Sequence, residues 1–138
     1  MDNYYEVEQP LIDRLRTLLP SMLVESADYL ESIEEDDTGF APAVFVLPVG
    51  SDFDKNDIQR ETQTWQVALI VPHYRDDDAA SSSITTAGGY LKTIVDGLKG
   101  WTPYQGYTPL LPIGPASPEY MGGLAGFPLN FETTRILC

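Results

Sequence analysis

The sequence predicts an α/β chain, and three observations carry that expectation. In Glu61–Pro72 (ETQTWQVALIVP), Trp65, Val67, Leu69 and Val71 alternate with Thr64, Gln66 and Ala68. That is the period of a strand with one buried face. In Ala79–Lys99, Ile84, Ala87, Leu91, Ile94, Val95 and Leu98 fall at helical spacing. They form an apolar stripe, with Thr85, Lys92, Asp96 and Lys99 off it. In Tyr4–Leu19, Val7, Leu11, Leu15, Leu18 and Leu19 share a second helical face.

The other elements follow in chain order. The first helix is capped by Asn3 or Asp2. Pro10 suits a first turn that begins later, near Gln9, and Pro20 ends the helix. Glu6, Glu8 and Asp13 precede Arg14 and Arg16, the order the helix dipole prefers. Met22–Glu25 reads as a short strand and Ser26–Ser32 as a helical turn. Ala43–Val49 (AVFVLPV) fits a buried strand, with Pro48 at its end or on a sheet edge. Gly50–Arg60 is polar and turn-forming, and is expected to be a long mobile loop.

Asp76, Asp77 and Asp78 precede the long helix, where carboxylates meet free backbone amides. Gly88-Gly89 lies within that helix at a propensity cost of roughly 1 kcal/mol each, which close packing at that point would explain. Gly100 supplies the left-handed stop. Five prolines exclude helix through most of Trp101–Pro118. Leu110–Ile113 reads as a short strand, Gly122-Gly123 as a turn, and Phe127–Leu137 as the closing strand. In it, Leu129, Phe131 and Thr133 face one way and Asn130, Glu132 and Thr134 the other.

At 138 residues the chain is expected to form one domain, residues 1–138. The N-terminal MDNYYEVEQ lacks a signal-peptide pattern, and no apolar run approaches the ~20 residues of a membrane-spanning helix. The one cysteine, Cys138, excludes an internal disulfide. The net charge of −13 is lopsided: residues 1–78 hold 18 acids and 5 bases, residues 79–138 hold 3 of each. Eight scattered basic residues argue against binding nucleic acid through its phosphates.

Catalytic and metal signals fail on inspection. Asp52-x-Asp54-x-Asn56 opens like a calcium loop, but Asp57 stands where glycine is needed and Gln63 where a glutamate should close the site. The acidic run Glu34–Asp37 does not alternate its ligands and reads as a solvated loop. His73 is the only histidine, so zinc ligation lacks partners, and histidine catalysis would need a nucleophile and an orienting acid in reach. The residue reads as a strand end or a loop hydrogen-bonder. Trp101, Tyr104 and Tyr107 carry two readings: capping the core beneath a loop, or meeting another protein at the surface.

The order of these pieces resembles the tail-terminator (tail-completion) proteins of long-tailed bacteriophages, the group that includes the Mu-type and lambda-type terminators. The likeness rests on the helix ending Leu15-Arg16-Thr17-Leu18-Leu19, the Pro-led strand Ala43–Val49 and the run Thr64–Val71. It continues in Leu98-Lys99-Gly100-Trp101-Thr102-Pro103, the turn at Gly122-Gly123 and the final strand Leu129–Leu137. Each piece is unspecific alone, and their order spans nearly the whole chain.

The resemblance implies a small α/β (α+β) fold: a mixed, largely antiparallel sheet with two main helices packed on one face. It implies a structural virion protein, not an enzyme and without a cofactor, that forms a homo-oligomeric ring, a hexamer. The ring would cap the tail tube, end its polymerisation and offer a surface for head joining, with assembly in the host bacterial cytoplasm. Its partners would be its own copies, the tail tube protein and a head-completion or connector protein. DNA would pass through without specific binding, and no membrane is involved.

Candidates for subunit or tube contacts are Asp52, Asp54, Lys55, Asp57, Arg60, Arg75, Trp101, Tyr104 and Tyr107. Candidates for an acidic lumen are Asp76, Asp77 and Asp78, with Asp52, Asp54 and Asp57 as further lumen or ring-face groups. Another head–tail connector or ring subunit of a phage or contractile injection system is the alternative, ahead of a small-ligand binder or enzyme.

Overall fold

The computed structural model describes residues 3–33, 39–54, 59–73, 83–114 and 117–136. Lys55, Asp57, Arg75, Asp76, Asp77 and Asp78 lie outside the described residues, as do Glu34–Asp37 and Cys138. In order, the elements are α1 (Glu8–Leu18), β1 (Leu23–Ser26), α2 (Ala27–Glu31), β2 (Ala43–Phe53) and β3 (Arg60–Pro72). Then come α3 (Ser83–Leu98), β4 (Leu111–Ile113), β5 (Glu119–Met121) and β6 (Leu124–Ile136). The strands form one mixed sheet of order β1-β2-β3-β6-β4, with β5 also paired to β6. Among the described residues β1–β2 is the one parallel pairing and the others are antiparallel. The expected fold class holds.

β3 alternates as its sequence dictates, with every second residue from Glu61 to Val71 buried. Its register with β2 and β6 stacks like faces: Val67 lies opposite Val46 and Leu129, and Trp65 opposite Phe131. Helices α1 and α3 cover this face. Leu11 and Leu15 of α1 and Ala87, Ile94 and Leu98 of α3 join the strand residues in one core. Each fully buried Leu or Ile contributes about 1.5–3 kcal/mol. The other face of the sheet is polar at its centre, where Thr62 and Thr134 share a 2.9 Å hydroxyl contact and Gln66 donates to Asn130 at 3.3 Å.

Four expectations change. Gly50–Arg60 is not a long loop: β2 continues to Phe53 and β3 begins at Arg60, with Asp54 N–H donating to the Arg60 carbonyl at 2.8 Å. Polar side chains concealed the strand because this end of β2 is exposed throughout and has no apolar pattern to show. Gly88 and Gly89 are exposed, with nothing near a built Cβ; the close approach is at Gly97, where a Cβ would stand 2.4 Å from Leu18 Cδ1. Ile84, assigned to the apolar stripe, is exposed, while Ser83 beside it is buried. The α1 N-cap position is Val7, without a side-chain cap; Asn3 instead accepts from Tyr5 N–H at 2.9 Å.

Candidate functional site

Two features stand out beside the core. The first is the outer end of β2. β1 covers only Ala43–Val46, so from Leu47 to Phe53 this strand is flanked by β3 alone among the described residues. Its register slips between Pro48 and Gly50. Beside it lies a recess of about 530 Å³ lined by Tyr4, Tyr5, Val49, Ser51, Gln63 and Trp65, with the Tyr4 hydroxyl 3.2 Å from Ser51 Oγ. Tyr5 meets Trp65 edge-on at 6.1 Å and Tyr4 meets Tyr5 edge-on at 5.1 Å. Val49 and Phe53 are each about half exposed on this part of β2.

The second is a buried ionic cluster where β3, β6 and the N-terminal segment meet. Arg135 Nε donates to Glu61 Oε1 at 2.7 Å, and Arg135 Nη1 donates to Glu6 Oε1 at 3.3 Å and to the Tyr107 hydroxyl at 2.9 Å. Tyr107 donates in turn to Glu6 at 2.8 Å, and Tyr4 donates to Glu61. Gln63 links Glu61 to the Trp65 indole through bonds of 3.0 Å each. The guanidinium lies over the rings of Tyr4 and Tyr107. Burial, then the bond to Glu6, pushes the Tyr107 phenol well above its ordinary pKa. The cluster fastens the chain's start to its last strand.

The sequence candidates fall in different places. Asp52 and Asp54 are exposed at the outer end of β2, and Arg60 is exposed at the start of β3. Trp101 is half-buried under Arg14, whose Cζ stands 5.4 Å from its ring centre, and it packs on the core. Tyr107 is 7% exposed and committed to the ionic cluster, so of the three aromatics Tyr104 is the one well exposed, at 44%. The capping reading therefore describes Trp101 and Tyr107.

His73 Nδ1 lies 3.1 Å from Ser83 Oγ, the His73 backbone N–H donates to the Gly123 carbonyl at 2.7 Å, and the ring rests against Tyr120. It ends a strand and ties it to the β5–β6 turn. The cluster itself went unseen in the sequence, although one signal was present: Glu61, Gln63, Thr133 and Arg135 sit in phase with the apolar residues of their strands.

Among the described residues no group of three or more His, Cys, Asp or Glu could hold a metal ion, and no helix is long and apolar enough to cross a membrane.

A family model described as phage tail terminator protein matches residues 1–137. No curated protein matches the chain by sequence. Among solved structures, a chain from the virion of a native gene transfer agent particle aligns with a TM-score of 0.53 at 17% identity, over 95% of this chain and 92% of that one. At that identity the likeness concerns fold. With the family model spanning all but the last residue, the chain belongs to the phage tail terminator family, whose members are structural proteins of the virion tail.

Proposed function

We propose that this tail protein works as a homo-oligomeric ring, a hexamer, that caps the tail tube, ends its polymerisation and presents the surface to which the head is joined. The observation that carries the reading is family membership over residues 1–137, together with exposed apolar side chains, Val49, Phe53 and Leu111 among them, on strands toward both sides of the sheet. Subunits repeated head to tail need two unlike patches, one for each neighbour. An acidic end of β2 and a charge-balanced far edge supply that difference. The partners are further copies of the chain, the tail tube protein and a connector on the head side, with assembly in the host cytoplasm. DNA passes the ring without specific binding, because exposed carboxylates repel phosphates.

In this reading Asp52, Asp54 and Asp57, or Asp76–Asp78, face the lumen or the ring surface. Arg60, Arg75, Lys55 and Tyr104 serve contacts with neighbours or the tube.

The test is negative-stain microscopy of tails assembled with and without the protein. Tails of defined length with a ring at one end are expected with it, and overlong uncapped tubes without it. Tubes of normal length in its absence would overturn the reading and favour a connector added after the tail is finished. Neutralising Asp52 and Asp54 and finding unchanged assembly and infectivity would remove them from the lumen.

A further inference from the structure

The sheet order places β2 and β4 toward opposite sides of the subunit. On one side, Val49 and Phe53 are 53% and 51% exposed along the part of β2 beyond β1. On the other, β4 presents Leu111, 55% exposed, at the rim of a recess of about 410 Å³ bordered by Lys99, Leu110 and Glu132. We propose that the outer end of β2 in one copy docks against the β4 edge of the next copy. Val49 and Leu111 are the apolar anchors, and the contact repeats around the ring. The inference rests on the ring reading and names its subunit contact.

Charge selects this occupant over the alternatives. Two β2 ends brought face to face would oppose Asp52 and Asp54 to their own copies, and like charges held close are destabilising. The β4 edge belongs to the part of the chain with 3 acids and 3 bases, and both Lys99 and Glu132 stand beside it, the latter directly opposite Leu111. An acidic patch against this charge-balanced edge avoids the like-charge opposition of two β2 ends.

The prolines shape the contact further. Pro48 and Pro112 each remove a backbone donor, and β2 is bulged beside Pro48. Both devices blunt an edge against open-ended backbone pairing. The contact is therefore read through side chains. It is heterologous, as closure into a ring requires.

Three variants test it: Val49→Lys, Leu111→Asp, and the two together. Both positions are exposed, so circular dichroism and melting temperature should match the unmodified protein in all three. Assembly is read as ring mass by light scattering and as rings on tube ends by negative stain. Each single variant is expected to lose rings by at least tenfold, and the double variant, which restores an opposite-charge pair, to regain them. Rings that persist in both single variants, or a double variant that regains none, would overturn the assigned contact while leaving the ring reading intact. Unmodified protein that forms no ring, either free or on tubes, would overturn both.

Discussion

Arg135 and Glu61 lie opposite one another on β6 and β3, joined by a 2.7 Å hydrogen bond with side chains 6% and 0% exposed. An ion pair held that deep is sensitive to losing one member, because the survivor keeps its desolvation penalty without its partner. Arg135→Met leaves the carboxylates of Glu61 and Glu6 near each other without the cation. The expected loss is about 3–5 kcal/mol, read by urea unfolding. Adding Glu61→Gln to Arg135→Met should recover about 0.5–3 kcal/mol of it through the coupling between the pair. A loss below about 1 kcal/mol in Arg135→Met would show that the cluster does not fasten the N-terminal segment.

Tyr107 gives an alkaline signature. Its phenol is held neutral by burial and by donating to Glu6, so its pKa in the folded protein lies above the ordinary 10.0. The unfolded chain releases that proton first as pH rises. Stability is therefore expected to fall with pH above 10 relative to Tyr107→Phe, which has no proton to lose. At neutral pH, Tyr107→Phe should destabilise by about 1–3 kcal/mol, since it removes a hydrogen-bond partner from both Glu6 and Arg135. Melting curves at pH 7 and above pH 10 check both parts.

Glu8 gives an acidic one. Partial burial, with Asp28 nearby, raises its pKa above the ordinary 4.5. The folded protein then holds this proton more tightly than the unfolded chain does, so the contribution opposes folding at neutral pH and is relieved as pH falls through the raised value. Glu8→Gln is expected to melt higher than the unmodified protein at pH 7, with the difference shrinking below pH 4.5. An equal difference at both pH values would remove Glu8 as the cause.

The glycines of α3 should separate by position. Gly88→Ala and Gly89→Ala enter open space in a helix and are expected to stabilise by roughly 1 kcal/mol each. Gly97→Ala drives a methyl into Leu18, and overpacking of this kind costs about 1–3 kcal/mol, more than the helix gains. The loss should shrink when Leu18→Ala accompanies it. Thermal melts of the set suffice, and a stabilising Gly97→Ala would mean that α1 and α3 can separate there without penalty.

The local elements were legible in the sequence because periodicity reports which face of a strand or helix is apolar. That determined β3, α3, the stripe of α1, the breaks at Pro20 and Gly100, and the Gly122-Gly123 turn, whose residues have φ of 51° and 83°. The sequence alone also determined the lopsided charge, and the order of its elements carried the family resemblance. The outer half of β2 was illegible, since an exposed edge has no apolar face to reveal it.

What only the tertiary structure decided is which distant residues meet. Arg135 and Glu6 are 129 positions apart and in contact, and Gly97, not Gly88 or Gly89, is where the helices touch. The same holds for the surface: Tyr107 turned inward to a buried charge, Ile84 turned outward, and Val49 and Leu111 came to lie toward opposite sides of one sheet. Strand order and register are set by packing between elements, and a one-dimensional pattern records the face each element buries but not the neighbour it buries it against.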